Sequence, residues 1–549
     1  MPNSSDFIND SFPASEQLSE SDADQVTRRS LNAACALLIG CAVAMFAFRA
    51  LNDRLWSDEL LTTILLGAHD LPKLWAGIVS GIDGNPPFYL TAAWLMTAAL
   101  PQAISLAAAL KLVNLALTGV AVVVLCRVGR RVVSSEACWI GALLFTTLND
   151  NLVRTAFELR TYALYFLMAA LAVFLQQRLI ERQRSRDVLG LAVVYVGLTL
   201  SHTFGIVYVA CTALAGVLSQ FGGERSRVRL TAIAVAPSVL ALAAWSPFLR
   251  EQMELVKPYG WTERPGLPEL LETLFASKTS MWVAVLELFC LASAVISRIQ
   301  KGFDLRAAVY DPRWQPSRYV ILILAGVTGV TLAGWAAAKV MLPLFVPRYF
   351  TPQLIVSLAI HLAFGEWLVR HARQRRIVVL LTSAAVALVT LQNVAQLSRQ
   401  SPYGGVVCAD GIGNYLESPF VNGGIPVIAE SPHVFLPRIA YAEHGSAYRF
   451  PLDWEVVLKY PERPRGNAVD FHIMQNLQSW APMPSIISTE ELVRTYPQFL
   501  VIEQSGRAWF QNLKATRDVV AEKLAETPAT TDIPSFCTIW KVTDVSARH

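Results

Sequence analysis

Asp58 and Glu59 stand side by side in LWSDELLTTI, residues 55–64, directly after the first long apolar run of the chain. Other polar residues with chemical potential lie in short motifs downstream. Asp83 and Asn85 sit in GIDGNPPFYL (81–90), and Arg154, Glu158, Arg160 and Tyr162 in NLVRTAFELRTYAL (151–164). His202 lies in LSHTFG (200–205), and Arg348 and Tyr349 in PRYFTPQL (347–354). The chemistry such a set supplies is proton removal beside a phosphate. A carboxylate near a membrane surface can take the proton of an attacking hydroxyl. Guanidinium groups grip phosphate oxygens through a bidentate fork and stabilise a departing negative charge.

Each residue also has a plainer reading. An acid pair at a helix boundary caps the helix or solvates it. Asp-Gly and Asn-Pro are ordinary turn residues, and Pro-Pro commonly opens a helix. Glu158 and Arg160 form a structural ion pair as readily as a donor contact, and Tyr162 is equally an interfacial aromatic. His202 fits a hydrogen-bonded packing role as well as a functional one, and Arg348 fits snorkelling as well as phosphate binding. The plain readings weaken when the acids, the proline-opened segment and the arginines fall on one side of the same membrane.

That placement follows from the apolar elements. The chain has 549 residues, 54% of them apolar, with a mean hydropathy of +0.41, the composition of a polytopic membrane protein. Its formal charge of +4 is small and spread over many loops, which argues against nucleic acid as a partner. Apolar stretches recur near 31–50, 87–100, 104–126, 136–149, 161–177, 188–201, 203–221, 230–249, 281–297, 318–338, 350–369 and 377–396. Six basic clusters, from Arg28/Arg29 to Arg370/Arg373/Arg375/Arg376, must share the cytoplasmic side. They do so only if one early stretch fails to cross. PFYLTAAWLMTAAL is the candidate, because it is short, opens on two prolines and is rich in aromatics. Eleven spanning helices then remain, with the acid pair outside.

The first 30 residues read as a disordered cytoplasmic tail, polar and acidic over most of their length. Residues 31–396 form the transmembrane part, and 397–549 a small mixed α/β domain outside the membrane. In that domain IPVIAE, FLVIE and CTIWKV read as strands, STEELVRTY and TRDVVAEKLAE as helices. Six of the eight cysteines lie in apolar runs without metal-like spacing. Cys408 and Cys537 alone fall in the polar last quarter, where an oxidising compartment would favour a disulfide between them.

SDE at 57–59, DGNPPFYL at 83–90, FELRTYAL at 157–164 and PRYFTPQL at 347–354 together resemble the GT-C class of polyprenyl-phosphate-sugar glycosyltransferases. That class includes protein mannosyltransferases and the lipid A aminoarabinose transferase. The resemblance covers roughly residues 31 to 396 and implies a GT-C fold with juxtamembrane helices in the first outer loop. It implies an inverting transfer of a sugar from a polyprenyl-phosphate donor to an extracytoplasmic acceptor, with Asp58 as general base and Glu59 orienting it or binding sugar. Many bacterial relatives carry His at Asn85 and Ala at Leu159. The short loops point to a bacterial inner-membrane enzyme with its site and last domain in the periplasm. No HExxH motif or clustered histidines are present, so a cofactor is not required by the sequence. Asp58, Asp150 and Glu158 could share a divalent cation. A transporter or flippase of lipid-linked sugars is the rival reading, expected to show repeats and charges at mid-membrane depth. A non-catalytic assembly protein is the second rival.

Overall fold

The structure is a computed structural model that describes residues 22–52, 54–97, 105–220, 225–259, 264–276, 278–300, 315–341, 344–371, 424–460, 468–504, 507–526 and 537–544. Among these residues six helices are long and apolar enough to cross a membrane. They lie in α1 (Asp22–Asn52), α5 (Leu106–Gly129), α8 (Tyr162–Arg182), α11 (Arg225–Tyr259), α14 (Gln315–Val340) and α15 (Leu354–His371), the last entered through a 3-10 turn, Pro347–Gln353. The chain is a multi-pass helical membrane protein. Three shorter helices, α6 (Ser135–Leu148), α9 (Ser185–Ser201) and α10 (Gly205–Leu218), and the 23-residue α13 (Lys278–Gln300) complete the bundle. The expected stretch 377–396 lies outside the described residues. α1 begins at Asp22, so residues 22–30 extend the first helix where a disordered tail was expected.

Five helices lie between the spans and carry the site. α2 (Ser57–Leu66), α3 (Leu71–Val79) and α4 (Phe88–Thr97) fill the first loop, α7 (Asp150–Phe157) the second, and α12 (Leu267–Phe275) the fourth. α4 is ten residues, about 15 Å at 1.5 Å per residue. That is half of the roughly 30 Å hydrocarbon core, too short for these ten residues alone to span it. α3 starts where the Asp70 carboxylate accepts from Lys73 N at 2.7 Å, and α7 where Asn149 accepts from Leu152 N at 2.9 Å. Such caps fix each short helix at its first turn.

α8 is the hub of the bundle. It packs against α5, α9 and α10, and most of its side chains are buried, including Tyr165, Phe166 and Ala170. α6 and α15 approach closely because Gly141 has no side chain. A Cβ there would lie 2.8 Å from the Leu362 backbone. α13 is tied in by one buried polar contact, Glu287 Oε1 to His361 Nδ1 at 2.8 Å.

After the spans the chain folds into a six-stranded sheet, β1 (Val427–Ala429), β2 (Tyr448–Pro451), β3 (Ile486–Ile487), β4 (Gln498–Gln504), β5 (Val519–Glu526) and β6 (Cys537–Asp544). The order is β3-β2-β1-β4-β6-β5, parallel through β4 and antiparallel beyond. Helices α16 (Pro432–Tyr441), α17 (Trp454–Lys459), α18 (Ala468–Trp480), α19 (Thr489–Thr495) and α20 (Trp509–Thr516) surround it. The mixed α/β domain is therefore present, with one correction. VVAEKLAE, expected as a helix, is the edge strand β5. Pairing with β6 over seven positions, with a bulge at Lys523/Ala525, outweighs its helical composition. Cys537 is disulfide-bonded, and Cys408, its expected partner, lies outside the described residues.

The domain sits directly on the first loop. Trp480 of α18 donates from Nε1 to Lys73 O at 2.7 Å, and Asn476 donates to Ser80 O at 2.5 Å. Gly77 makes room, because a Cβ there would press on Leu65 at 2.6 Å and on the Trp480 ring at 3.0 Å.

Candidate active site

Trp56 enters α2 in extended conformation, and Glu59, three residues on, accepts its N–H at 3.0 Å. The other Glu59 oxygen accepts the Leu159 N–H at 2.8 Å. One carboxylate thus joins SDE to FELR across a hundred residues of sequence. It is buried, and that burial pushes its pKa up to about 7 against the opposing pull of the two amide hydrogen bonds. Glu59 is turned into the protein and spent on backbone donors. Asp58, its neighbour on the helix, points the other way, with 23% of its side chain exposed.

Asp83 explains the DGN motif. Its carboxylate takes the Arg160 guanidinium at 2.9 and 3.3 Å in a buried two-bond pair. Asn85 donates to the same carboxylate from its backbone at 3.0 Å and its side chain at 2.7 Å. Asn85 holds Asp83, and Asp83 holds Arg160. Arg160 then reaches Asp58 at 4.0 Å. Asn114, buried in α5, donates to Glu158 O at 2.7 Å and fixes the bend between α7 and α8.

Arg348 completes the group. Its guanidinium lies 3.6 Å from Asp58 Oδ2, 3.5 Å from Glu158 Oε1 and 4.8 Å from the centre of the Trp56 ring. The two carboxylate contacts are long, and the Arg348 Nε is buried without a hydrogen-bond partner. Burial raises the pKa of Glu158, opposed by Arg348, Arg160 and Arg154. Arg154, half exposed, pairs instead with Glu272 of α12 at 3.7 Å. Beside Arg348 and Glu158 runs a narrow cleft, lined also by Arg154, Tyr162 and Thr273 among others.

His202 is placed beside this cleft by aromatic packing. It stacks on Tyr165 at 4.9 Å and touches Tyr349 at 5.1 Å and Tyr162 at 6.0 Å. Its Nδ1 accepts the Phe204 N–H at 3.2 Å. Burial, with Arg160 and Arg348 nearby, lowers its pKa to about 3, so the ring is neutral. This is the packing reading of His202.

The three acids considered for a divalent cation do not converge. Asp150 opens α7 and Glu158 follows its last turn, about 12 Å away at 1.5 Å per residue. Among the described residues no group of three or more His, Cys, Asp or Glu could hold a metal ion. Arg348 stands between Asp58 and Glu158 where a shared cation would have been.

The back of α7 faces a second space. Leu152, Val153, Ala156 and Phe157 line an apolar groove of about 550 Å³ with α1, α5 and α6. Arg127 and Arg130 stand at its far end. Sequence reading found Asp58, Asp83, Asn85, Arg160, Glu158 and Arg348, all brought together here. It missed Trp56 and Asn114, which carry no motif of their own.

No family model matches the chain, and no curated protein does. The chain is similar to the crystal structure of ArnT from Cupriavidus metallidurans in the apo state, over 92% of this chain and 97% of that one. The TM-score is 0.40 and the identity 9%, and no residue role is carried across at that distance.

Proposed function

We propose that this protein is an inverting glycosyltransferase that moves a sugar from a polyprenyl phosphate to an extracytoplasmic acceptor. The observation that carries the reading is the arrangement of Asp58. Its carboxylate is 23% exposed and has guanidinium groups at 3.6 and 4.0 Å. In the reaction an acceptor hydroxyl attacks the anomeric carbon and gives its proton to Asp58. The carbon–oxygen bond to the phosphate breaks on the opposite face, and the phosphate leaves with the electron pair. Arg348 takes that charge, since its carboxylate contacts are loose and its neighbour Glu158 is held toward the neutral form. Arg160, clamped by Asp83, sets the local field.

The apolar groove behind α7 suits a polyprenyl chain, with the phosphate reaching round the helix to Arg154 and Arg348. The six basic clusters favour a site and final domain on the periplasmic side of a bacterial inner membrane.

The purified protein, given a panel of synthetic polyprenyl-phosphate sugars, should release polyprenyl phosphate, and lipid-glycan mass spectrometry of a deletion strain should show one missing sugar. Sugar movement across proteoliposomes without bond cleavage would support the flippase instead.

A further inference from the structure

We propose that the C-terminal domain completes the active site, with His433 as a positioning residue that sets Asp58 through Ser57. The inference rests on the transferase reading above.

The segment 54–58 is gripped at two points by one helix, α16, which lies nearly four hundred residues later in the chain. At its start, His433 Nδ1 lies 2.5 Å from Ser57 Oγ. At its end, the Tyr441 hydroxyl accepts the Leu55 N–H at 2.9 Å, and Arg54 lies over the Tyr441 ring at 5.3 Å. Between the two grips stands Trp56, the ring beneath Arg348. Directly after them stands Asp58. A single helix therefore aligns both the base and the ring that lies under the Arg348 guanidinium.

The helix is itself held firmly. Val434, Phe435 and Leu436 are buried in the core shared by the domain and the first loop. The far side of His433 faces Asp470 of α18, with Nε2 to Oδ1 at 3.9 Å. Asp470 is fixed in turn by Arg507 at 2.9 Å, a buried pair. Ser57 is buried too, with 2% of its surface exposed, so its hydroxyl has His433 as partner and no access to bulk water.

Positioning of this kind has a recognisable signature. A displacement of about 1 Å at a base can cost up to about a hundredfold in rate while leaving binding intact. Four variants separate it from general damage: Ser57→Ala, His433→Ala, His433→Asn and the Ser57→Ala/His433→Ala double. Measurements are kcat and donor KM, with hydrogen exchange of the peptide spanning 54–60. Each alanine variant should lower kcat about tenfold with donor KM within about twofold, and the double should also lose about tenfold, because the two residues act as one contact. His433→Asn should recover most of the loss, since its amide oxygen can stand where Nδ1 stood. Exchange over 54–60 should quicken about tenfold in His433→Ala while α8 stays protected.

An additive loss of about a hundredfold in the double, or no loss in either single variant, would overturn the proposal. If the wild-type protein transfers no sugar from any donor, the transferase reading fails by itself. Exchange then decides the clamp alone, and unchanged protection of 54–60 in His433→Ala refutes it.

Discussion

Replacing Asp58 by Asn tests the base directly, because the amide keeps the shape but cannot take a proton. The structure gives the sign of two separate effects. Loss of the base should reduce kcat by about 10²- to 10⁴-fold. Loss of the charge acts on the donor in the opposite direction. Asp58 lies 3.6 Å from Arg348 and 4.0 Å from Arg160. At an effective dielectric of about 20 these separations correspond to roughly 4 to 5 kcal/mol each before screening. With 23% of the Asp58 side chain open to solvent, each shrinks to about 1 kcal/mol. Freeing the guanidinium groups should therefore leave donor affinity unchanged or up to about thirtyfold tighter. Release of polyprenyl phosphate and donor binding are measured side by side on detergent-purified protein matched for Tm. A kcat within about threefold of wild type removes Asp58 as the base. A donor Kd loosened tenfold would instead make Asp58 a binding residue.

Arg348→Ala should weaken donor binding by about 10- to 150-fold, the loss of a hydrogen bond to a charged group, read by the same binding assay. Asp83→Ala strands Arg160 in a buried position and should cost about 3 to 5 kcal/mol, visible as a large fall in Tm; an unchanged Tm would show that solvent satisfies Arg160 without its carboxylate partner. Glu59 carries a pH dependence. Its folded pKa of about 7 lies above the ordinary 4.5, so between those values the folded state holds a proton that the unfolded chain has lost. Stability should fall as pH rises from about 4.5 to 7, by at most roughly 3 kcal/mol. The difference between wild type and Glu59→Gln isolates this slope from other groups, and parallel curves would refute it. Cys537→Ser should cost about 2 to 5 kcal/mol. Intact mass should show the disulfide in protein purified without reductant.

The helical membrane class and the mixed terminal domain were legible because they rest on one-dimensional signals. Runs of apolar residues and basic flanks require no knowledge of what packs where, and a helix opened by two prolines was expected over 87–100, where α4 covers Phe88–Thr97. The acid and arginine motifs were legible too, since each sits in a short, chemically unusual string. Pairing was not. Nothing in SDE shows that Glu59 serves the backbone of Leu159 while Asp58 meets Arg160 and Arg348, because the difference is one helix position and depends on what each face meets. His433 sits in an ordinary SPHVF string and becomes meaningful only when the domain folds back. VVAEKLAE misled because an exposed edge strand is chosen by its partner, and β6 lies beyond a connection whose pairing composition does not reveal.

The contact between Glu287 and His361 bears on how the chain enters the bilayer. Glu287 stands in the middle of the apolar stretch Met281–Ser293, where a carboxylate costs about 2.5 to 3.5 kcal/mol during insertion. Its partner is 74 residues further on. At about 5 to 20 residues per second, synthesis delivers that histidine roughly 4 to 15 seconds later. In that interval α13 lacks the His361 partner that its acid has in the folded protein. The cost of the lone acid predicts that α13 enters together with α15 as a unit. A force-sensing arrest sequence placed behind α13 should report weak pulling, and one placed behind α15 a strong pull that His361→Leu abolishes.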